Sequence, residues 1–213
     1  MRVLIAVLAS AVSVSLATMF ATTATADAPT LDIHTSAKSA IAYYQLTATI
    51  RLSVVAADVS GYNDERKRYF ASVGIEEQPA CLPDCLLPNL PLLAAGAEFD
   101  SPQLHGSVNR ATLDVTLPVL YCALSSCPTA IHVSLVWEPD GEPFRNSNSS
   151  RTDTKQCQFT KVRRFAYADA TATGFVSDGT ADLAIGESSG GNLLEASTRA
   201  VGYGDPGVCL GPL

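Results

Sequence analysis

Apolar and polar residues alternate between residues 130 and 138. Every second position is apolar, and these positions are Ile131, Val133, Leu135 and Trp137. A period of two with β-branched and aromatic residues predicts a half-buried β-strand. Trp137 is the only tryptophan in the chain, and an indole buries a large apolar area. We therefore expect this strand to be central, and Pro-Asp-Gly at 139–141 predicts the turn that ends it.

The same period predicts further strands. The clearest of all covers 45–54, and its apolar phase reverses after Val54, which predicts a β-bulge. Regular alternation predicts a strand over 111–119, and weaker alternation predicts strands over 69–75 and 98–105. Residues 192–203 fit either a strand or a short helix. Residues 27–40 are polar and mixed, so we expect them to form a loose lead-in.

The pair Asp178-Gly179 is the strongest hairpin signal, because it favours a two-residue type I′ turn. Such a turn places Val176 opposite Ala181, and the pairs beyond them follow at intervals of two. One face of the hairpin is then wholly apolar.

Two stretches lack this period. Residues 77–97 contain four prolines interleaved with leucines. Because proline cannot donate to a strand ladder, we expect a loop there that packs on the core or offers an apolar patch to a partner. Residues 141–156 are almost wholly polar, and we expect a long excursion. Short strands separated by turns predict an all-β protein, namely an antiparallel β-sandwich of immunoglobulin-like general architecture with long, disulfide-stapled loops.

The first 26 residues have the features of a secretory signal peptide. Arg2 gives a short positive region, an apolar stretch follows, and Ala24-Thr25-Ala26 matches a cleavage site. Serines interrupt the apolar stretch, which is short of the ~20 residues that a membrane span needs. We therefore expect cleavage near Ala26, a secreted, extracellular protein, a single domain over 27–213, and no transmembrane segment in the mature chain.

All six cysteines lie beyond the predicted cleavage site. An even number in an exported protein favours three disulfides, although six cysteines allow 15 pairings. Two pairs close short loops at small entropic cost, and a third would join the C-terminus to the middle of the domain. The predicted bridges are Cys81–Cys85, Cys122–Cys127 and Cys157–Cys209. A metal site is the alternative, but no C-x₂-C spacing is present and no histidine lies at zinc-finger spacing.

The distribution of charge points to one class of partner. Without Arg2, 13 basic and 21 acidic residues give the mature chain a net charge of −8, which argues against specific nucleic-acid binding. Six of the basic residues nevertheless lie within 145–164, where Asp153 is the only acid. They are Arg145, Arg151, Lys155, Lys161, Arg163 and Arg164. This local positive field fits an anionic polymer or an acidic surface, unless nearby acids neutralise it or water solvates it.

Catalytic and metal-binding patterns are weak. Residues 186–190 match G-x-S-x-G, but no histidine follows Ser188, as the nucleophile elbow requires. The histidines are scattered at His34, His105 and His132. We expect no metal site and no cofactor. With 21 acidic residues, two carboxylates spaced for glycoside hydrolysis stay an open alternative.

The sequence therefore predicts a non-catalytic extracellular or envelope-associated binding or structural module. Its candidate binding residues are the six basic residues within 145–164. The alternative is a small secreted hydrolase that acts on a glycan with paired carboxylates. That alternative requires a concave face with two acids, one of which has a raised pKa.

Overall fold

The structure is a computed structural model that describes residues 30–61, 67–77, 90–185 and 190–210. These residues contain eleven strands and one single-turn helix. They are β1 (Leu31–Gln45), β2 (Ile50–Ser60), β3 (Lys67–Glu77), β4 (Leu90–Phe99), β5 (Leu104–Ser107), β6 (Arg110–Cys122), β7 (Ala130–Pro139), β8 (Phe144–Asp153), β9 (Gln158–Ser177), β10 (Asp182–Ile185), β11 (Gly190–Tyr203) and α1 (Pro206–Cys209). The predicted signal peptide with its cleavage site, and Ser188 with its flanking residues, lie outside the described residues.

Every pairing between these strands is antiparallel. The strands follow the order β10-β9-β11-β1-β2-β3-β4-β6-β5, with β7 paired to β6 and β9, and β8 paired to β9. The all-β antiparallel class is therefore confirmed. Its immunoglobulin-like sandwich form stays a prediction.

Two long strands divide their pairing between two groups of neighbours. β9 pairs with β11 over residues 158–169 and with β7 over 170–177. β6 pairs with β7 up to Pro118 and with β4 from Val119 onward. Continuous backbone therefore joins two groups of paired strands. The first contains β1, β2, β3, β4, β8 and β11, and the second contains β5, β7 and β10.

The main core includes the alternating apolar residues of β6 and β7. The buried positions are Ala111, Leu113, Val115 and Leu117 on β6, and Ile131, Val133, Leu135 and Trp137 on β7. Both strands that the period of two predicts here are confirmed. Trp137 is fully buried, and its indole N–H donates to the backbone carbonyl of Ile41 at 3.0 Å. This bond ties β7 to β1, which is not its neighbour in the sheet.

The predictions for the start of the domain are wrong. Residues 31–45 form β1 instead of a loose lead-in, and 46–49 form a turn before β2. β1 shows no apolar period of two, because Ile33 is buried on one face of the strand and Ala40 on the other. Thr47 stabilises the turn, since its Oγ1 accepts two backbone N–H bonds at 3.0 and 3.3 Å.

The β-bulge predicted after Val54 is also wrong, because β2 keeps a continuous register with β1 and with β3. The apolar phase changes because Ala56 and Ala57 are both buried, so both faces of β2 are covered at that point. The predicted strand at 69–75 is confirmed as part of β3, and residues 192–203, which fitted either a strand or a short helix, belong to strand β11.

Both stretches predicted as loops contain strands. β4 begins at Leu90, inside 77–97, and Pro91 is accommodated where the register with β3 shifts. β8 occupies most of the predicted excursion at 141–156. β8 shows no apolar alternation because it is exposed along nearly its whole length. The strand predicted at 98–105 is divided between the end of β4 and the start of β5.

The β9–β10 hairpin is present, but its register differs from the prediction by two residues. Ser177 pairs with Asp182, and Val176 with Leu183, so the loop has four residues instead of two. A shift of two keeps the same residues on each face. Accordingly, Val176 and Ile185 are both buried.

Two of the three predicted disulfides fall within the described residues, and both are present. The first closes the short loop after β6, and the second joins the start of β9 to α1. They are Cys122–Cys127 and Cys157–Cys209. Cys81 and Cys85 lie outside the described residues.

Candidate anion-binding site

The six basic residues predicted as a binding surface all lie on the hairpin of β8 and β9. They are Arg145 and Arg151 on β8, Lys155 in the connection, and Lys161, Arg163 and Arg164 on β9. Successive residues of a strand point to opposite faces of the sheet. The hairpin therefore divides these charges between its two faces.

One face carries a depression of about 260 Å³, which we name the Lys161 depression. It is lined by Asn148, Ser150, Thr152, Lys161, Arg163 and Leu210. The register explains this set, because Lys161 lies opposite Ser150, and Arg163 opposite Asn148. None of the lining residues is acidic. A cationic depression with hydroxyl and amide groups offers several N–H and O–H donors to an anion.

Of the two cationic residues that line this depression, Lys161 is the more deeply buried. The residue is only 7% exposed, and its ammonium donates to the backbone carbonyl of Leu210 at 3.3 Å. Burial lowers the pKa of the Lys161 ammonium below its ordinary value, and the positive charge of Arg163 lowers it further. Both effects oppose the charged form, and a bound anion would offset both of them.

The C-terminal segment positions Leu210 beside Lys161. The disulfide Cys157–Cys209 fixes α1 against β9, and the backbone N–H of Leu210 donates to the first residue of α1 at 2.9 Å. Gly204 precedes α1 with a φ of +113°, and a Cβ there would meet the Cys209 sulfur at 2.8 Å. A second cluster of buried residues includes both cysteines of this bridge, and its members are Ile33, Cys157, Phe159, Ala200 and Cys209.

The opposite face of the hairpin carries its other strand cations, which are Arg145, Arg151 and Arg164. Acids compensate part of the charge on this face. Arg151 donates to Asp153 at 2.8 Å. On the adjoining strands, Arg199 forms a bidentate ion pair with Asp32 at 3.0 and 2.6 Å. The structure thus gathers two of the six predicted residues, Lys161 and Arg163, into one depression and places the others elsewhere on the hairpin.

Sequence reasoning missed four lining residues of the depression. They are Asn148, Ser150, Thr152 and Leu210. The first three alternate along a stretch without apolar residues, and only their antiparallel register with β9 brings them beside the cations. The period of two among polar residues was the available signal. No sequence pattern indicated Leu210, because the disulfide Cys157–Cys209 determines its position.

An imidazole, a carboxylate and a hydroxyl also meet on the exposed face of β6 and β7. His132 Nε2 lies 3.0 Å from Asp114 Oδ1, and Ser134 Oγ donates to Asp114 Oδ2 at 3.3 Å. The hydrogen bond with His132 is the main cause that lowers the pKa of Asp114. A nucleophilic serine must donate to the histidine. Because Ser134 donates to the carboxylate instead, this arrangement does not activate it.

The hydrolase alternative needs two carboxylates, one of them with a raised pKa. Burial raises the pKa of Asp58 on β2, although the positive charge of Lys38 opposes the rise. His105 acts on this carboxyl in the same direction as Lys38. The hydrolase alternative stays a prediction.

The described ranges contain no group of three His, Cys, Asp or Glu side chains close enough to hold a metal ion. The three histidines lie on different strands, with His34 on β1, His105 on β5 and His132 on β7. In the same part of the chain, no helix has the length and apolar character to cross a membrane.

Comparison with known proteins does not assign a family. No protein-family model matches the chain, and no curated protein is significantly similar to it.

Proposed function

We propose that this protein is a non-catalytic binding module that is exported by its N-terminal signal peptide and acts outside the cell or at the envelope. In this proposal, the two groups of strands stack as an immunoglobulin-like β-sandwich that presents the β8–β9 hairpin. The Lys161 depression binds an anionic group carried by a polymer or by an acidic surface.

The observation that carries the proposal is the nearly buried residue Lys161, whose ammonium is partly desolvated, in a depression without an acidic lining residue. Burying a cation costs free energy unless an opposite charge compensates for it. Its hydrogen bond to the carbonyl of Leu210 supplies a dipole instead of a full negative charge. An oxyanion in the depression would supply that charge and would accept hydrogen bonds from neighbouring hydroxyl and amide groups.

The charge of the whole chain favours selectivity for this depression. The mature chain has a net charge of −8, by the count of 13 basic and 21 acidic residues, so most of its surface repels a polyanion. The positive field of the hairpin is local, and it acts mainly within about one Debye length, roughly 10 Å at 0.1 M salt. We therefore expect binding that weakens steeply as salt is added.

The test is retention of the purified protein on immobilised dextran sulfate, followed by elution in a salt gradient. We expect Lys161→Gln and Arg163→Gln each to weaken binding by roughly tenfold, as loss of a charge-assisted hydrogen bond implies. Both variants should therefore elute at lower salt than the unmodified protein.

The matched control is Lys155→Gln, which removes the same charge from the same hairpin outside the depression. It should elute close to the unmodified protein. Equal losses in all three variants would show a diffuse charge effect and contradict a defined site. Equal retention on uncharged dextran would contradict anion binding altogether.

A further inference from the structure

β8 is an exposed edge strand. In the described part of the chain it pairs only with β9, and all of its residues are exposed except Thr152, which is half-buried. Its register with β9 is continuous from Phe144 to Asp153. The outer edge of β8 therefore presents an uninterrupted row of backbone N–H and C=O groups.

Edge strands are usually protected against pairing with another chain. The common devices are proline, lysine, β-bulges and very short length. β8 has ten residues, contains neither proline nor lysine, and its register is unbroken. Its central residues, 146–150, are Asn-Ser-Asn-Ser-Ser and carry no charge. Charged residues occur only toward its ends.

We propose that β8 pairs antiparallel with β8 of a second copy of this chain, with Ser149 on the two-fold axis. In this register Arg145 of each copy lies opposite Asp153 of the other, and Arg151 lies opposite Ser147. The dimer therefore contains two cross-strand pairs of opposite charge. Such pairs stabilise antiparallel strands.

The charged residues of β8 disfavour the two neighbouring registers, in which the two-fold axis lies at Asn148 or at Ser150. Moving the axis by one residue, to Asn148, places Arg145 opposite Arg151 of the second copy twice in each dimer, and like charges in direct opposition are destabilising. Moving it to Ser150 leaves Arg145 without an opposite residue within β8. The register centred on Ser149 is the one that pairs all of 145–153 and matches charge at both ends.

The present contacts of the two end residues are compatible with this pairing. Arg145 donates to the amide oxygen of Asn109 at 2.6 Å, so its charge is directed at a neutral group. Asp153 accepts from Arg151 at 2.8 Å. Since a carboxylate has about four acceptor positions, Asp153 retains capacity for a second guanidinium.

The pairing would also join the two Lys161 depressions. A two-fold axis perpendicular to the sheet keeps both depressions on the same side. Ser150 then lies opposite Asn148 of the second copy, so each Lys161 shares a cross-strand row with the second copy's Arg163. Three strand spacings separate them, roughly 14 Å. This continuous cationic surface suits a polyanion, a consequence that rests on the proposed function, whereas the dimer itself does not.

The first test is sedimentation equilibrium of the purified chain over a series of concentrations. We expect a monomer–dimer equilibrium, and we expect Asp153→Arg to raise its dissociation constant by at least about tenfold, because two attractions become two repulsions. The double variant with Arg145→Asp and Asp153→Arg restores the charge match and should recover most of the affinity. The control Arg164→Asp reverses a charge on β9 and should leave the equilibrium unchanged.

The second test determines the register. Ser149→Cys places two thiols opposite each other on the axis, and mild oxidation should link the two chains. Ser147→Cys is equally exposed on the same face but faces Arg151, so it should not cross-link. An unmodified chain that stays monomeric at every concentration overturns the proposal, and so does equal cross-linking of the two variants. Lys161→Gln should leave dimerisation intact, so a failure of anion binding is distinguishable from a failure of this proposal.

Discussion

A single carboxylate organises the loop of the β9–β10 hairpin. Asp178 Oδ1 accepts hydrogen bonds from the Thr180 hydroxyl at 2.7 Å and from the backbone N–H groups of Thr180 and Ala181 at 2.8 and 2.9 Å. These donors favour the charged carboxylate. The Thr180 hydroxyl, followed by the two backbone bonds, lowers the pKa of Asp178 to about 2.

This pKa predicts that part of the stability depends on pH. The folded pKa lies below the ordinary value of 3.8, so the contribution of Asp178 is complete above about pH 4 and is lost as the pH falls toward 2. We expect Asp178→Ala to lower the urea midpoint at pH 7 and to have little effect near pH 2. Urea denaturation at both pH values measures this, and Asp182→Ala is a control on the adjacent strand.

The same residue shows what sequence patterns predict at this scale. The Asp-Gly pair located the turn correctly, and the apolar alternation assigned the faces correctly. The loop length was wrong because the Asp178 side chain bonds two and three residues ahead, which stabilises a four-residue loop in place of a type I′ turn. Side-chain bonds of this kind compete with standard turn types. An equal pH response of Asp178→Ala and Asp182→Ala would contradict this explanation.

At the scale of the elements, β9 requires a glycine at one position. Gly174 has a φ of +137° and lies where β9 pairs with both β7 and β10. A Cβ at this position would collide with the carbonyl oxygen of Ser134 and lie 3.1 Å from the Cα of Leu135. The close approach of β9 to β7 therefore requires glycine.

Gly174→Ala is expected to destabilise the fold by about 3 kcal/mol, because it combines an unfavourable φ with a clash against backbone. Gly141→Ala is the matched control, since a Cβ there meets no atom within 4 Å. Urea denaturation followed by Trp137 fluorescence compares the two variants. Similar midpoints for both would show that β9 can move away from β7 at little cost.

The strands that the sequence predicted and those that it missed differ in how they are buried. β6 and β7 bury the same face along most of their length, so their apolar period is visible. β1 buries Ile33 on one face and Ala40 on the other, which breaks its period. β8 buries almost nothing, so it has no apolar period, and its polar alternation became informative only beside β9.

On the scale of the whole molecule, the C-terminus links stability to the candidate site. The disulfide Cys157–Cys209 spans 52 positions of the sequence, and both of its cysteines belong to the second buried cluster. The disulfide fixes the position of α1 and of Leu210, which follows α1. Leu210 lines the Lys161 depression, and its backbone carbonyl accepts the hydrogen bond from Lys161. The second buried cluster and the position of Leu210 in the Lys161 depression therefore both depend on this disulfide.

Removing this bridge with Cys157→Ser and Cys209→Ser should lower the free energy of unfolding by about 4 kcal/mol, the value that chain entropy gives for a loop of this length. It should also weaken binding to dextran sulfate under conditions in which the protein is still folded, because Leu210 is no longer held beside Lys161. The matched variant with Cys122→Ser and Cys127→Ser opens a loop with a separation of 5 residues. It should cost about 2 kcal/mol and leave binding unchanged, because that loop lies outside the depression. If both double variants bind the polymer as the unmodified protein does, the C-terminal segment contributes to stability alone and the Lys161 depression does not need Leu210.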